Sequence, residues 1–122
     1  MKILVLDDDD VRHEAFKFAF CTEELYQART HDEAVALLDK HSPFDRVFLD
    51  HDLNDHQYVS RERTGLDTAA YITNLPREKH PKEVVVHSWN PDGAKYMIQR
   101  LRDNDVRVIR WLFNSDVGKT FR

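Results

Sequence analysis

The sequence predicts an open α/β fold built on a parallel sheet, and two patterns predict it. Short apolar runs alternate with helix-period segments along the 122-residue chain. Three of the runs end in reactive polar residues: Ile3-Leu4-Val5-Leu6 in Asp7-Asp8-Asp9-Asp10, Val47-Phe48-Leu49 in Asp50-His51-Asp52, and Val84-Val85-Val86 in His87-Ser88-Trp89-Asn90. As parallel strands, these runs would bring all three polar clusters to the carboxyl edge of one sheet, where open α/β folds place their ligand sites.

The elements follow in order. Residues 2 to 6 read as a buried strand, and Val11 to Phe20 carries Ala15, Phe16, Ala19 and Phe20 at helical spacing. Leu25 to Arg29 is a short second strand. Asp32 to Lys40 places Ala34, Val35, Leu37 and Leu38 behind Thr30, a helix cap. After the Ser42-Pro43 turn, Asp45 to Leu49 makes the third strand. Leu53 to Thr64 is polar and aperiodic, longer than a usual βα connection, and so a candidate lid or substrate loop. A helix from Gly65 to about Leu75 stops at Pro76. Glu83 to Val86 is the fourth strand, a helix runs from Pro91 or Asp92 to Asp103, and Val106 to Phe113 is the fifth strand. Five strands and four helices in a βα repeat argue one parallel sheet with right-handed crossovers. No internal repeat or linker interrupts residues 1–122, so one domain is expected.

Composition excludes several classes. With 41% hydrophobic residues the chain can bury one core. A net charge of -4 and a pI near 5.9 leave no electrostatic footprint for duplex DNA, although a local basic patch around Arg61 and Arg63 stays open. The lone Cys21 excludes an internal disulfide and a thiolate metal cluster. No secretory apolar region follows Met1 and no segment approaches a membrane span, so a cytoplasmic address is expected.

The polar clusters carry the chemistry. Asp7, Asp8, Asp50 and Asp52 on adjacent strand ends would repel one another, each ionised pair at about 5 Å costing roughly 3 kcal/mol at an effective dielectric near 20. A divalent cation removes that cost. Oxygen ligands suit Mg²⁺ or Mn²⁺, whereas an added imidazole tilts the preference toward Mn²⁺ or Zn²⁺. Asp8 and Asp50 are the expected direct ligands, with Asp7 held through water. Asp50 and Asp52 could share an orientation while His51 points elsewhere, unless the chain has already turned. Simpler roles also fit: the acidic run as a helix-capping loop, His51 as a packing residue, Ser88 or Asn90 as a helix cap, and Asp67 as a first-turn acid behind the cap Thr64. Gly93, after Pro91, opens a helix whose amides could bind a phosphate oxygen.

The opening Lys2 to Asp9, Asp50 at the end of the third run and Ser88 at the end of the fourth resemble response-regulator receiver domains in order and spacing along nearly the whole chain. That resemblance implies a flavodoxin-like, five-stranded parallel sheet of order 2-1-3-4-5, with Asp50 as phosphoacceptor and Ser88 as switch hydroxyl. Three features depart from it: no Met-Pro follows Asp50, Arg110-Trp111 replaces a Lys-Pro pair after the fifth strand, and nine residues follow Phe113. The last helix is therefore expected to be missing or shortened. Leu49-Asp50-His51-Asp52-Leu53, Thr64-Gly65-Leu66-Asp67 and Val86-His87-Ser88-Trp89-Asn90-Pro91-Asp92-Gly93-Ala94 with Met97 are similar, more narrowly, to the cyclic-phosphate processing receiver domains.

This narrower resemblance implies a phosphate-containing small molecule or an RNA end as partner, in RNA repair, and a phosphoesterase as the activity. A cyclic phosphodiester needs a cation, magnesium or manganese first, and a histidine to move protons, His87 before His51. Ser88 and Asn90 complete the catalytic candidates, and Thr64 and Gly93 the substrate-binding ones. Two alternatives stand beside the phosphoesterase: a receiver that accepts phosphate on Asp50, and a catalytically silent nucleotide- or partner-binding module. Trp111, Phe113 and Phe121 should either cover the sheet face a final helix would have covered or pair in a homodimer.

Overall fold

The computed structural model describes residues 1–53 and 64–121. Most of the expected lid segment, residues 54–63, lies outside them. The elements are β1 (Lys2–Leu6), α1 (Asp10–Ala19), β2 (Glu24–Ala28), α2 (His31–His41), β3 (Arg46–Leu49), α3 (Gly65–Asn74), a 3-10 turn (Arg77–Lys79), β4 (Glu83–Val86), α4 (Pro91–Asp103), β5 (Val108–Arg110) and α5 (Val117–Phe121). All strand pairs are parallel, in the order β2-β1-β3-β4-β5.

Alternation of side chains divides the core into two layers. Leu4, Leu6, Val47, Leu49, Val84 and Val86 face α2, α3 and α4, whereas Ile3, Val5, Phe48 and Val85 face Phe16, Ala19 and Phe20 of the α1 region and Val117 of α5. β1, β3 and β4 are buried over almost their whole length, which explains their uniformly apolar sequence. No helix among the described residues is long and apolar enough to cross a membrane.

One strand differs from expectation. β5 covers three residues rather than eight, because the Val106 amide turns back to the Leu101 carbonyl at 3.0 Å and the last ladder bond runs from the Trp111 amide to the Val86 carbonyl. The last helix is shortened rather than missing. Phe121 packs edge-on against Phe48 and Trp111, with centroids 5.2 and 5.0 Å away, and Phe113 lies 5.5 Å from Phe16. The tail therefore folds over the α1 face of the sheet, and the Arg46 guanidinium covers the outer side of Phe121 at 5.1 Å.

Candidate functional site

Register builds the site. Leu6, Leu49 and Val86 are level across β1, β3 and β4, and the ladder continues one residue further. The Asp50 amide donates to the Leu6 carbonyl at 3.0 Å, and the His87 amide to the Leu49 carbonyl at 3.1 Å. Asp7, Asp50 and His87 thus form one row at the carboxyl edge. Asp8 joins them, and one ligand oxygen from each of Asp7, Asp8 and Asp50 falls within 4.8 Å of the others. The four-residue acidic run divides by role: Asp7 and Asp8 enter the site, while Asp9 caps α1 by accepting from the Arg12 amide and Asp10 pairs with Arg29.

Asp7 is fully buried and held from several sides. One carboxylate oxygen accepts from the Asp9 amide at 2.8 Å; the other lies 2.7 Å from His87 Nε2 and 3.4 Å from Arg12 Nη1. His13 Nε2 donates to the Asp7 carbonyl at 2.6 Å. Burial pushes its pKa up, but the His87 hydrogen bond and charge, the Asp9 amide and Arg12 outweigh it and hold the carboxyl below the usual range. Among the described residues Asp50 has fewer partners: the His51 amide at 2.9 Å and Arg12 Nη1 at 3.5 Å. Burial, reinforced by the charge of Asp7, pushes the Asp50 carboxyl up to about 6 despite the opposing His87, Arg12 and His51 contacts.

The two histidines expected to move protons occupy different environments. His87 is 0% exposed, ringed by Phe16, Phe48 and Phe113, and its Nδ1 has no hydrogen-bond partner among the described residues. It holds Asp7 rather than facing the cleft. His51 lies at the rim, with Nδ1 2.8 Å from Asp52 Oδ1. The chain has turned by this point, so Asp52 bonds to His51 and to Asn90 Nδ2 (3.2 Å) instead of joining the trio. The His51 hydrogen bond, ahead of the Asn90 one, lowers the Asp52 pKa.

The remaining candidates mostly shape the site. Ser88 is buried, and its hydroxyl accepts from the Asn90 amide at 3.0 Å; Asn90 Oδ1 in turn accepts from the Gly93 amide at 3.0 Å as the cap of α4. The Gly93 amide expected to meet a phosphate is therefore already engaged. Instead Gly93 makes room, since a Cβ there would lie 2.4 Å from the His51 ring. Thr64 caps α3 in a reciprocal pair with Asp67, accepting from the Leu66 amide at 3.1 Å while Asp67 accepts from the Thr64 amide at 2.8 Å.

Sequence reasoning missed Arg12 and His13, and it placed Gly65 in a motif without its structural role. A Cβ on Gly65 would lie 1.8 Å from the Asp50 carbonyl oxygen, so only glycine lets α3 start against the end of β3. Arg12 is three residues past its cap Asp9, which returns it over the strand ends, a placement visible once the cap is fixed. A cleft of about 300 Å³ opens above the row, lined by Asp8, Asp9, Arg12, Asp50, Asp52 and Trp89.

Response regulators and their receiver domains are among the solved structures similar to this chain. The response regulator receiver domain (CheY-like) of Methanospirillum hungatei JF-1 superposes with a TM-score of 0.67 at 19% identity, over 98% of this chain and 88% of that one. NtrX of Brucella abortus gives 0.70 at 24% identity, over 98% of this chain and 25% of that one. A response regulator of Burkholderia pseudomallei, described with a phosphorylated aspartic acid, a calcium ion and citrate, gives 0.65 at 18% identity, over 94% and 62%. These likenesses show the receiver fold. A search of curated proteins finds no match. The family model for the cyclic-phosphate processing receiver domain matches residues 2–103, and the chain belongs to that family.

Proposed function

We propose that the chain is a divalent-cation-dependent phosphoesterase that opens a cyclic phosphate, on an RNA terminus or a small cyclic nucleotide. The observation that carries this reading is a cluster of three carboxylates, two of which, Asp8 and Asp50, line a cleft together with Asp52, the carboxylate that holds His51.

The donor set fits a hard cation. Asp7, Asp8 and Asp50 offer only oxygen, and the upward displacement of Asp50 marks a site where another negative charge is unwelcome without a counter-ion. The chemistry that bound Mg²⁺ or Mn²⁺ supplies there is Lewis acidity toward a phosphoryl group. His87 and His13 keep the Asp7 carboxylate and carbonyl in place. Arg12, which bridges Asp7 and Asp50, is within reach of a non-bridging phosphate oxygen at the same spot. His51, its Nδ1–H directed at Asp52, keeps Nε2 for proton exchange. Water gives a proton to His51 Nε2 as its oxygen bonds to phosphorus, the bond from phosphorus to the sugar oxygen breaks, and Nε2 passes that proton on to the departing oxygen. The structure thus favours His51 over His87 for this role, because His87 is enclosed.

The position of Asp50 in a receiver fold favours a second reading, phosphoacceptance, which the Burkholderia neighbour's phosphorylated aspartate illustrates. A screen of nucleoside 2′,3′-cyclic phosphates and cyclic-ended RNA with Mg²⁺ or Mn²⁺ tests the first. Monoester should form only with cation, and His51→Ala should slow it by about 10²- to 10⁴-fold. No product with any cation, together with acetyl phosphate labelling of Asp50, would put the receiver role in its place.

A further inference from the structure

We propose that Trp89 is the platform on which the substrate's nucleobase stacks, an inference that rests on the phosphate reading of the cleft. Trp89 is 58% exposed, and among the described residues its ring enters no aromatic or cation–π contact, whereas Trp111 packs against both Phe113 and Phe121. The five companions of Trp89 around the cleft, Asp8, Asp9, Arg12, Asp50 and Asp52, all carry ionisable side chains, so among the described residues the indole is the one flat apolar surface that the cleft offers.

The backbone on either side of it is fixed. Ser88 before it is buried with its hydroxyl on the Asn90 amide, and Asn90 after it caps α4. Trp89 is therefore held at a rigid corner between β4 and α4, with two side-chain torsions left to order on binding. A cation site and a guanidinium call for an anion, and the exposed indole calls for a planar π system; a nucleotide carries both in one molecule. A phosphate group among the carboxylates and Arg12 directs its ribose and base toward the rim where Trp89 stands. Stacking is tolerant of sequence, because every base has a π face, and it favours the larger purines.

Binding rather than turnover tests this. Calorimetry with Mg²⁺ present compares adenosine monophosphate with ribose 5-phosphate, which has the same phosphate and sugar without the base. The wild type should bind the nucleotide about tenfold or more tightly than the sugar phosphate. Trp89→Ala should reduce the nucleotide to the affinity of ribose 5-phosphate without changing the latter, and Trp89→Phe should keep most of the difference. An unchanged melting temperature in the two variants shows that folding is intact, as the exposure of the side chain implies. Equal wild-type affinities for the two ligands, or a gap that survives Trp89→Ala, overturn the stacking role alone. Failure of both ligands to bind overturns the phosphate reading and the stacking role together.

Discussion

Replacing Asp50 by asparagine should stabilise the cation-free protein at neutral pH. Asp50 is 4% exposed, and its carboxyl is pushed from its ordinary 3.8 to about 6, first by burial and then by Asp7. A carboxyl with a raised folded-state pKa binds more protons when folded than when unfolded. Its contribution to stability is full below about pH 4 and is lost as pH rises through about 6. A displacement of about two pH units at about 1.4 kcal/mol each makes the ionised group cost about 3 kcal/mol at pH 8. The substituted amide keeps an oxygen for the His51 amide and removes the charge. In chelator, Asp50→Asn should therefore melt about 10 °C above wild type at pH 8, with the gap closing toward pH 4. Millimolar Mg²⁺ or Mn²⁺ should raise the wild type and leave the variant unmoved, because the cation stabilises only a site that binds it. Thermal melts across pH 4 to 8 make the comparison. A variant no more stable than wild type at pH 8 would refute the claim that Asp50 is held at an electrostatic cost.

The other substitutions separate structural from chemical roles. Gly65→Ala should cost about 3 kcal/mol in urea unfolding, because its Cβ meets fixed backbone at Asp50, whereas Gly93→Ala should cost less and act mainly on turnover by displacing the His51 ring. Comparable unfolding midpoints for the two would contradict this. His87→Ala should destabilise the fold by about 3 kcal/mol or more, since it leaves the buried Asp7 carboxylate without its closest side-chain hydrogen-bond partner and opens a gap in an aromatic cluster; a wild-type urea midpoint would return His87 to a purely chemical role. Deleting residues 114–122 uncovers Phe48 and Trp111, forfeiting about 3 kcal/mol of apolar burial, and should aggregate or change the assembly state; sedimentation of a stable, unaltered monomer would contradict it.

The sheet was legible because β1, β3 and β4 are buried on both faces and read as unbroken apolar runs. β2 gave a weaker signal because it lies at the sheet edge, where only Ala28 of its five residues is fully buried. Five residues with a glycine among them carry no helical period, so α5 is recognisable only through the packing of Val117 and Phe121 on the sheet. The carboxylate trio was legible because parallel strand ends converge whatever the side-chain details. The separation of His51 from His87 was not. One residue of register decides whether a strand-end side chain faces the core or the rim, and the turn after Asp50 breaks the alternation from which His51 would be placed. Arg12 and Gly65 act across elements, through long reach and close approach, which local pattern does not encode.

The most direct test of the phosphoesterase account follows a nucleoside 2′,3′-cyclic phosphate by ³¹P NMR in the presence of Mn²⁺ or Mg²⁺. The account predicts conversion to a single monophosphate ester by the wild type, none in chelator, none with Asp50→Asn, and conversion slowed by about 10²- to 10⁴-fold with His51→Ala. A cyclic phosphate signal that persists with every cation, or conversion that survives loss of both Asp50 and His51, would contradict it.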